Sequence, residues 1–135
     1  MKLLADTSVW SLALRRTRTA TLSGDEMRLV AVLSEAIHDG RVVMIGPIRQ
    51  EILSGIKEQA QFDKLRTTLA AFRDEPIDTT DYEEAARCYN LCRAQGVQCG
   101  PVDILICAVA ARRKWSVLAN DTLLNRCLRI VAVVR

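Results

Sequence analysis

The stretch from Gly100 to Asp121, GPVDILICAVAARRKWSVLAND, decides the fold. Gly100-Pro101 turns the chain and sets a proline at a first helical position, where the missing N–H has no partner to lose. Ile104 to Val109 is then apolar at every position. A helix of that kind has no face to offer water and must be buried. Trp115 to Ala119, WSVLA, follows as a strand, and the chain meets Asp121 two residues later.

Working outward, the same alternation repeats. Residues 2–5, KLLA, read as a short buried strand that runs straight into Asp6, and Ser8 to Leu14 continue as a helix until the threonine-rich TRTATLS breaks it. Ser23 and Glu26 stand three apart, as in a capping box, ahead of Met27, Val30, Ala31, Leu33 and Ile37 at helical spacing, with Gly40 to stop the helix. VVMI at 42–45 is continuous and β-branched, as a central parallel strand covered on both faces should be. Gly46-Pro47 opens the helix PIRQEILSGIK, and a second helix is predicted over roughly Gln59 to Phe72. Pro76-Ile77-Asp78 is a weak strand candidate. Thr80 and Glu83 form a further capping-box pattern for a helix to about Ala94, closed by Gly96. After Asp121 a short helix is expected, and IVAVV at 130–134 reads as a last strand. Strands separated by helices imply an α/β layer architecture with a mainly parallel central sheet and right-handed crossovers.

Composition narrows the class. The 135 residues, half of them hydrophobic, suit a single domain over 1–135 with a sizeable core. No run approaches the roughly 18–20 apolar residues of a membrane span, and no cleavable leader pattern opens the chain, so a soluble cytoplasmic protein is expected. Cys88, Cys92, Cys99, Cys107 and Cys127 are odd in number and sit in apolar-periodic segments, the look of buried free thiols and not of a disulfide framework. Without a Cys-x-x-Cys pair, and with His38 as the sole histidine, a zinc site is disfavoured. The net charge of +3 is unevenly spread: residues 74–84 carry six acids and no base, whereas Arg15, Arg16 and Arg18 and the segment from Arg112 onward are basic. That asymmetry suits a polyanionic partner, and it also suits solvated helix faces.

The chemistry lies in four carboxylates. In open α/β sheets ligands bind outside the carboxyl ends of the strands. Asp6 follows the first strand, Glu51 lies one turn into the helix after VVMI, and Asp121 follows WSVLA; Asp103, in the first turn of the buried helix, needs the fold to bring it alongside. Asp6 and Asp121 also read as helix N-caps, and Glu51 as a solvated surface acid. Asp103 is harder to explain that way, because an ionised carboxylate beside so apolar a helix needs compensating positive charge. Converging carboxylates repel one another, and a hard divalent cation, Mg²⁺ or Mn²⁺, relieves that repulsion. One histidine cannot make an acid–base pair, and neither a Gly-x-Ser-x-Gly elbow nor a phosphate-binding Gly-x-x-x-x-Gly-Lys loop is present. Metal-assisted catalysis is what remains.

ADTSVW at the start, QEILSG after a Gly-Pro turn, GPVDILICAVA in a buried helix and LANDTLL after a late strand together resemble the PIN-domain family and, in size and layout, the VapC toxins of bacterial toxin–antitoxin pairs. The resemblance spans nearly the whole chain. It implies a three-layer α/β/α nuclease fold and Mg²⁺- or Mn²⁺-dependent cleavage of single-stranded RNA, leaving 5′-phosphate and 3′-hydroxyl ends. By position it assigns metal ligation and catalysis to Asp6, Glu51, Asp103 and Asp121, with Ser8 supporting the first Asp. Many members carry a threonine before the last acid and a second acid plus an aromatic after it. Here Ala119-Asn120 precede Asp121 and Leu123-Leu124 follow, so Asp121 is expected at a second metal or through water, with Asn120 or Thr122 orienting that water. Arg15, Arg16, Arg49, Arg112 and Arg113 are candidates for holding RNA phosphates. Trp10 and Trp115 suit core packing better than base stacking. The resemblance further implies a homodimer and a cognate VapB-like antitoxin. Other readings are a PIN-like RNA- or protein-binding scaffold with residual acids, or a phosphatase or phosphotransfer α/β domain. The phosphatase needs a second Asp where Ser8 stands, and the receiver-type domain needs paired acids where Asp6 stands alone.

Overall fold

The computed structural model describes residues 1–14 and 21–134. Among the described residues the sheet has three strands, β1 (Leu3–Ala5), β2 (Val42–Val43) and β3 (Ser116–Leu118), all parallel in the order β2-β1-β3. Leu4 pairs with Val43 on one side and Val117 on the other, so β1 is central, and its LLA sequence is buried throughout. The chain reaches β2 through α1 (Thr7–Leu14) and α2 (Gly24–His38). It then crosses β1 through α3 (Gly46–Leu53), α4 (Gln59–Leu69), α5 (Thr79–Ala94) and α6 (Pro101–Arg113) before entering β3, and ends in α7 (Thr122–Val134). Helix α1 packs on α2 and α3, and α3 on α4, while α5, α6 and α7 pack on one another. With the sheet this gives the expected α/β/α layering.

Helix α6 is the axle of the molecule. Every residue from Ile104 to Ala110 is buried, as the unbroken apolar run requires. It ends at Lys114, whose left-handed backbone (φ 57°) turns the chain so that the Trp115 N–H bonds back to Ala110 and β3 can begin. Trp10 is in the core, edge-on to Phe72 with ring centroids 5.2 Å apart, as packing and not base stacking demands.

The structure corrects several expectations. The stretch IVAVV is not a strand but the end of α7: Leu124, Cys127 and Val131 recur at helical spacing on its buried face, and packing against α5 and α6 overrides β-branched propensity. Pro76-Ile77-Asp78 forms no strand; the sheet edge is extended two residues earlier, by an isolated Met44–Asp74 bridge with the Glu75 N–H donating to Met44 O at 2.8 Å. Helix α5 is capped by a reciprocal Asp78/Asp81 box, not by Thr80 and Glu83, because Asp78 occupies the N-cap and its carboxylate takes the Asp81 N–H at 2.9 Å. The Ser23/Glu26 box is present as expected. Helix α4 stops at Leu69, three residues short of Phe72. Finally, Cys99 and Cys127 are joined as a disulfide, Cα atoms 6.8 Å apart; Cys88, Cys92 and Cys107 remain thiols. The pairing joins the loop before α6 to α7, two segments 28 residues apart in sequence that only the tertiary fold brings together.

Candidate metal centre

Each candidate acid is placed by a local feature. Asp6 leaves the end of β1, where its N–H donates to Leu118 O of β3 at 3.0 Å, and the Val9 N–H donates to its Oδ1 at 3.2 Å. It is therefore both the cap of α1 and an acid at a strand end. Ser8 Oγ donates to the same Oδ1 at 2.6 Å and accepts from the Asn120 N–H at 3.4 Å, so Ser8 ties the loop after β1 to the loop after β3. Asp121 Oδ1 accepts from the Leu123 and Leu124 N–H groups at 2.8 and 3.3 Å, the cap geometry of α7.

Asp103 stands in the first turn of α6, and its Oδ2 would lie 3.9 Å from a side chain on Gly100. The carboxylate thus folds back over the helix N-terminus, whose dipole favours negative charge. Glu51 projects from α3 and is exposed; its Oε1 accepts from Thr7 Oγ1 at 2.6 Å. Thr7 was not singled out in the sequence, although it lies inside the ADTSVW motif, because its role depends on α3 meeting α1.

These four side chains share one electrostatic neighbourhood. Burial first, then the charges of Asp121, Asp6 and Glu51, push the Asp103 carboxyl up to about 6. Burial likewise raises Asp6, where the Ser8 hydroxyl and Val9 N–H pull it down and Asp121 pushes it up. Among the described residues, no Lys, Arg or His forms an ion pair with any of the four. No three of them bring an oxygen each within 4.8 Å of one another; among the described residues the set reaching that spacing is the sulfurs of Cys92, Cys99 and Cys127. The carboxylates spread further, as unneutralised like charges should. Their donor chemistry, oxygen alone and several negative charges, fits a hard divalent cation.

The expected RNA-binding arginines fare differently. Arg15 and Arg16 lie outside the described residues. Arg49 donates to Asp74 Oδ1 at 2.9 Å, to Leu69 O at 3.0 Å and to Phe72 O, clamping α3 to the end of α4. Arg112 donates to Asp81 Oδ1, and Arg113 to Asp81 Oδ2 at 2.6 Å and to Pro76 O at 2.9 Å, with its guanidinium 5.3 Å from the Trp115 ring centre. These three arginines are engaged within the chain, each with part of its side chain still exposed. Asp81 was missed. It is completely buried, and although burial alone would raise its carboxyl, the Asp78 N–H and the two guanidinium groups hold it below the ordinary range. The sequence carries no local signal for this pairing, which arises only when α5 packs on α6.

A parallel three-stranded sheet with acids at its carboxyl ends, next to an apolar helix that carries another acid at its start, defines an acidic-site α/β domain. The PIN domain model matches residues 3–127, nearly the whole chain, and the chain belongs to the PIN domain family. PIN domains are generally metal-dependent nucleases. No curated protein sequence matches the chain. No helix among the described residues is long and apolar enough to cross a membrane.

Proposed function

We propose that this PIN domain is a Mg²⁺- or Mn²⁺-dependent endoribonuclease that hydrolyses RNA phosphodiester bonds. The feature that supports the reading is the grouping of Asp6, Glu51 and Asp121 within electrostatic reach of Asp103, with no ion pair from a described Lys, Arg or His to any of the four. Asp6, Glu51 and Asp103 would hold the first ion, with Asp121 as ligand to a second ion or through water. When bound, such ions activate water for in-line attack and stabilise the attacking and leaving oxygens. The chain supplies the orientation: Ser8 fixes the Asp6 carboxylate, Thr7 holds Glu51 against α1, and two backbone N–H groups hold Asp121. Asn120 and Thr122, both exposed beside Asp121, would orient water. Arg15 and Arg16, in the segment after α1, are the remaining basic candidates for the RNA backbone.

We further propose that the protein is the VapC-like toxin of a toxin–antitoxin pair, a cytoplasmic homodimer bound by a VapB-like antitoxin. Its support is the resemblance of its motifs and single-domain layout. Incubating single-stranded RNA with the protein and Mn²⁺ tests the enzyme reading: cleavage leaving 5′-phosphates, lost in EDTA and in Asp103→Asn, is expected, and intact RNA at all Mn²⁺ concentrations overturns it. Growth arrest on induction, absent in Asp103→Asn, tests the toxin reading; unimpaired growth of cells expressing the active enzyme overturns it.

A further inference from the structure

All five cysteines converge where α5, α6 and α7 meet. Cys92 on α5, Cys99 in the loop before α6 and Cys127 on α7 hold their sulfurs within 4.8 Å of one another, and Cys107 is in electrostatic reach of Cys88 and Cys92. Cys92 and Cys127 are fully buried, and Cys99 is 4 % exposed. It lines an open cavity of about 690 Å³ between α5 and α6, alongside Tyr89, Asn90, Gln98, Gly100 and Ile104. None of the four acidic residues lines this cavity. Its wall is mainly apolar, and Cys99 is the one member of the trio that lines it.

The geometry points to a reversible thiol–disulfide site at Cys99 and Cys127, addressed through this cavity by small-molecule disulfides, with Cys92 as the internal exchange partner. In the reduced chain the deprotonated Cys99 sulfur attacks one sulfur of a small disulfide RSSR. The RS–SR bond breaks, RS⁻ leaves and takes up a proton, and a Cys99–SR mixed disulfide forms. Cys127 then gives up its proton, attacks the Cys99 sulfur and expels the second RS⁻. Two cysteine thiols are oxidised by two electrons and RSSR is reduced to two RSH. Excess RSH drives the same steps backwards. In a compartment that keeps thiols reduced, such a bond is a transient, responsive one.

The bond spans the site's two late elements. Cys99 is four residues before Asp103, and Cys127 is six after Asp121. Closing it fastens the start of α6 to α7, and opening it frees the loop that positions Asp103. The consequence for metal binding rests on the proposed function; the thiol chemistry does not.

The test uses the full chain, reduced and then exposed to oxidised glutathione, with thiols counted by alkylation in denaturant and linked peptides identified by mass. Five thiols before and three after, with Cys99 linked to Cys127, are expected. Cys127→Ser should instead link Cys99 to Cys92, and Cys99→Ser should keep its remaining four thiols. Amide exchange at Ile104, whose N–H bonds Gly100 O at 3.0 Å, should quicken at least about fivefold on reduction. Five thiols after oxidation, a dominant different pairing, or exchange at Ile104 that ignores the redox state overturns the inference. The outcome is read without metal or RNA, so an inactive nuclease leaves it standing or falling on its own.

Discussion

Replacing Asp103 by Asn should stabilise the metal-free protein while abolishing the proposed cation site. Burial and the neighbouring acids raise the Asp103 carboxyl from 3.8 to about 6. A rise of that size corresponds to about 3 kcal/mol, and because the side chain is partly exposed, screening by water reduces it to about 1–2 kcal/mol. Between pH 3.8 and about 6 the folded protein binds more protons at this group than the unfolded chain does. The group's relative stability is therefore fully present below the ordinary value and is lost as pH rises through about 6. Asn carries no such charge, so the variant should melt roughly 3–8 °C above wild type at pH 7.5 in EDTA, and the gap should close toward pH 4. Adding Mn²⁺ should reverse the order, since only the wild type has the charge that the ion neutralises. Thermal melts across pH, with and without Mn²⁺, measure all of this. A variant that melts below wild type in EDTA, or a gap that does not change with pH, would refute the repulsion argument.

Other perturbations separate the scaffold from the site. Asp81→Asn leaves Arg112 and Arg113 facing a neutral partner and should cost about 2–4 kcal/mol in urea unfolding. Because the Asp81 carboxyl is held below its ordinary range, its stabilisation is present at neutral pH and is lost as pH falls through the lowered value, opposite in sign to Asp103. Ser8→Ala removes the hydroxyl that pulls Asp6 down, so half-maximal Mn²⁺ binding should move to higher pH with little change in melting temperature; calorimetric titration at several pH values checks it. Leu124→Ala, on the buried face of α7, should cost about 2–5 kcal/mol in the same unfolding assay. Reducing the Cys99–Cys127 bond releases a loop of 28 residues and should lower stability by about 3–4 kcal/mol on the chain-entropy account.

The sequence discloses those parts of the molecule that are fixed locally. The apolar run of α6 has one reading, since no amphipathic alternative exists for Ile104 to Val109, and the Ser23/Glu26 box announces α2 from four residues. Asp6, Asp103 and Asp121 are visible because each follows a strand or opens a helix. What could not be read is set by partners distant in sequence. The β-branched end of α7 looks like a strand until α5 and α6 supply a surface for its helical face. Arg112 and Arg113 look like free charges until Asp81 is found beneath them, and Cys127 looks like a core thiol until the fold sets Cys99 against it.

The central claim is that four carboxylates form one divalent-cation centre. Titrating the metal-free protein with Mn²⁺ while following the free ion by electron paramagnetic resonance tests it without RNA or cell. The account predicts one or two bound ions per chain in the wild type, with binding lost in both Asp6→Asn and Asp103→Asn. A wild-type chain that takes up no Mn²⁺, or variants that take up as much as it does, would contradict it.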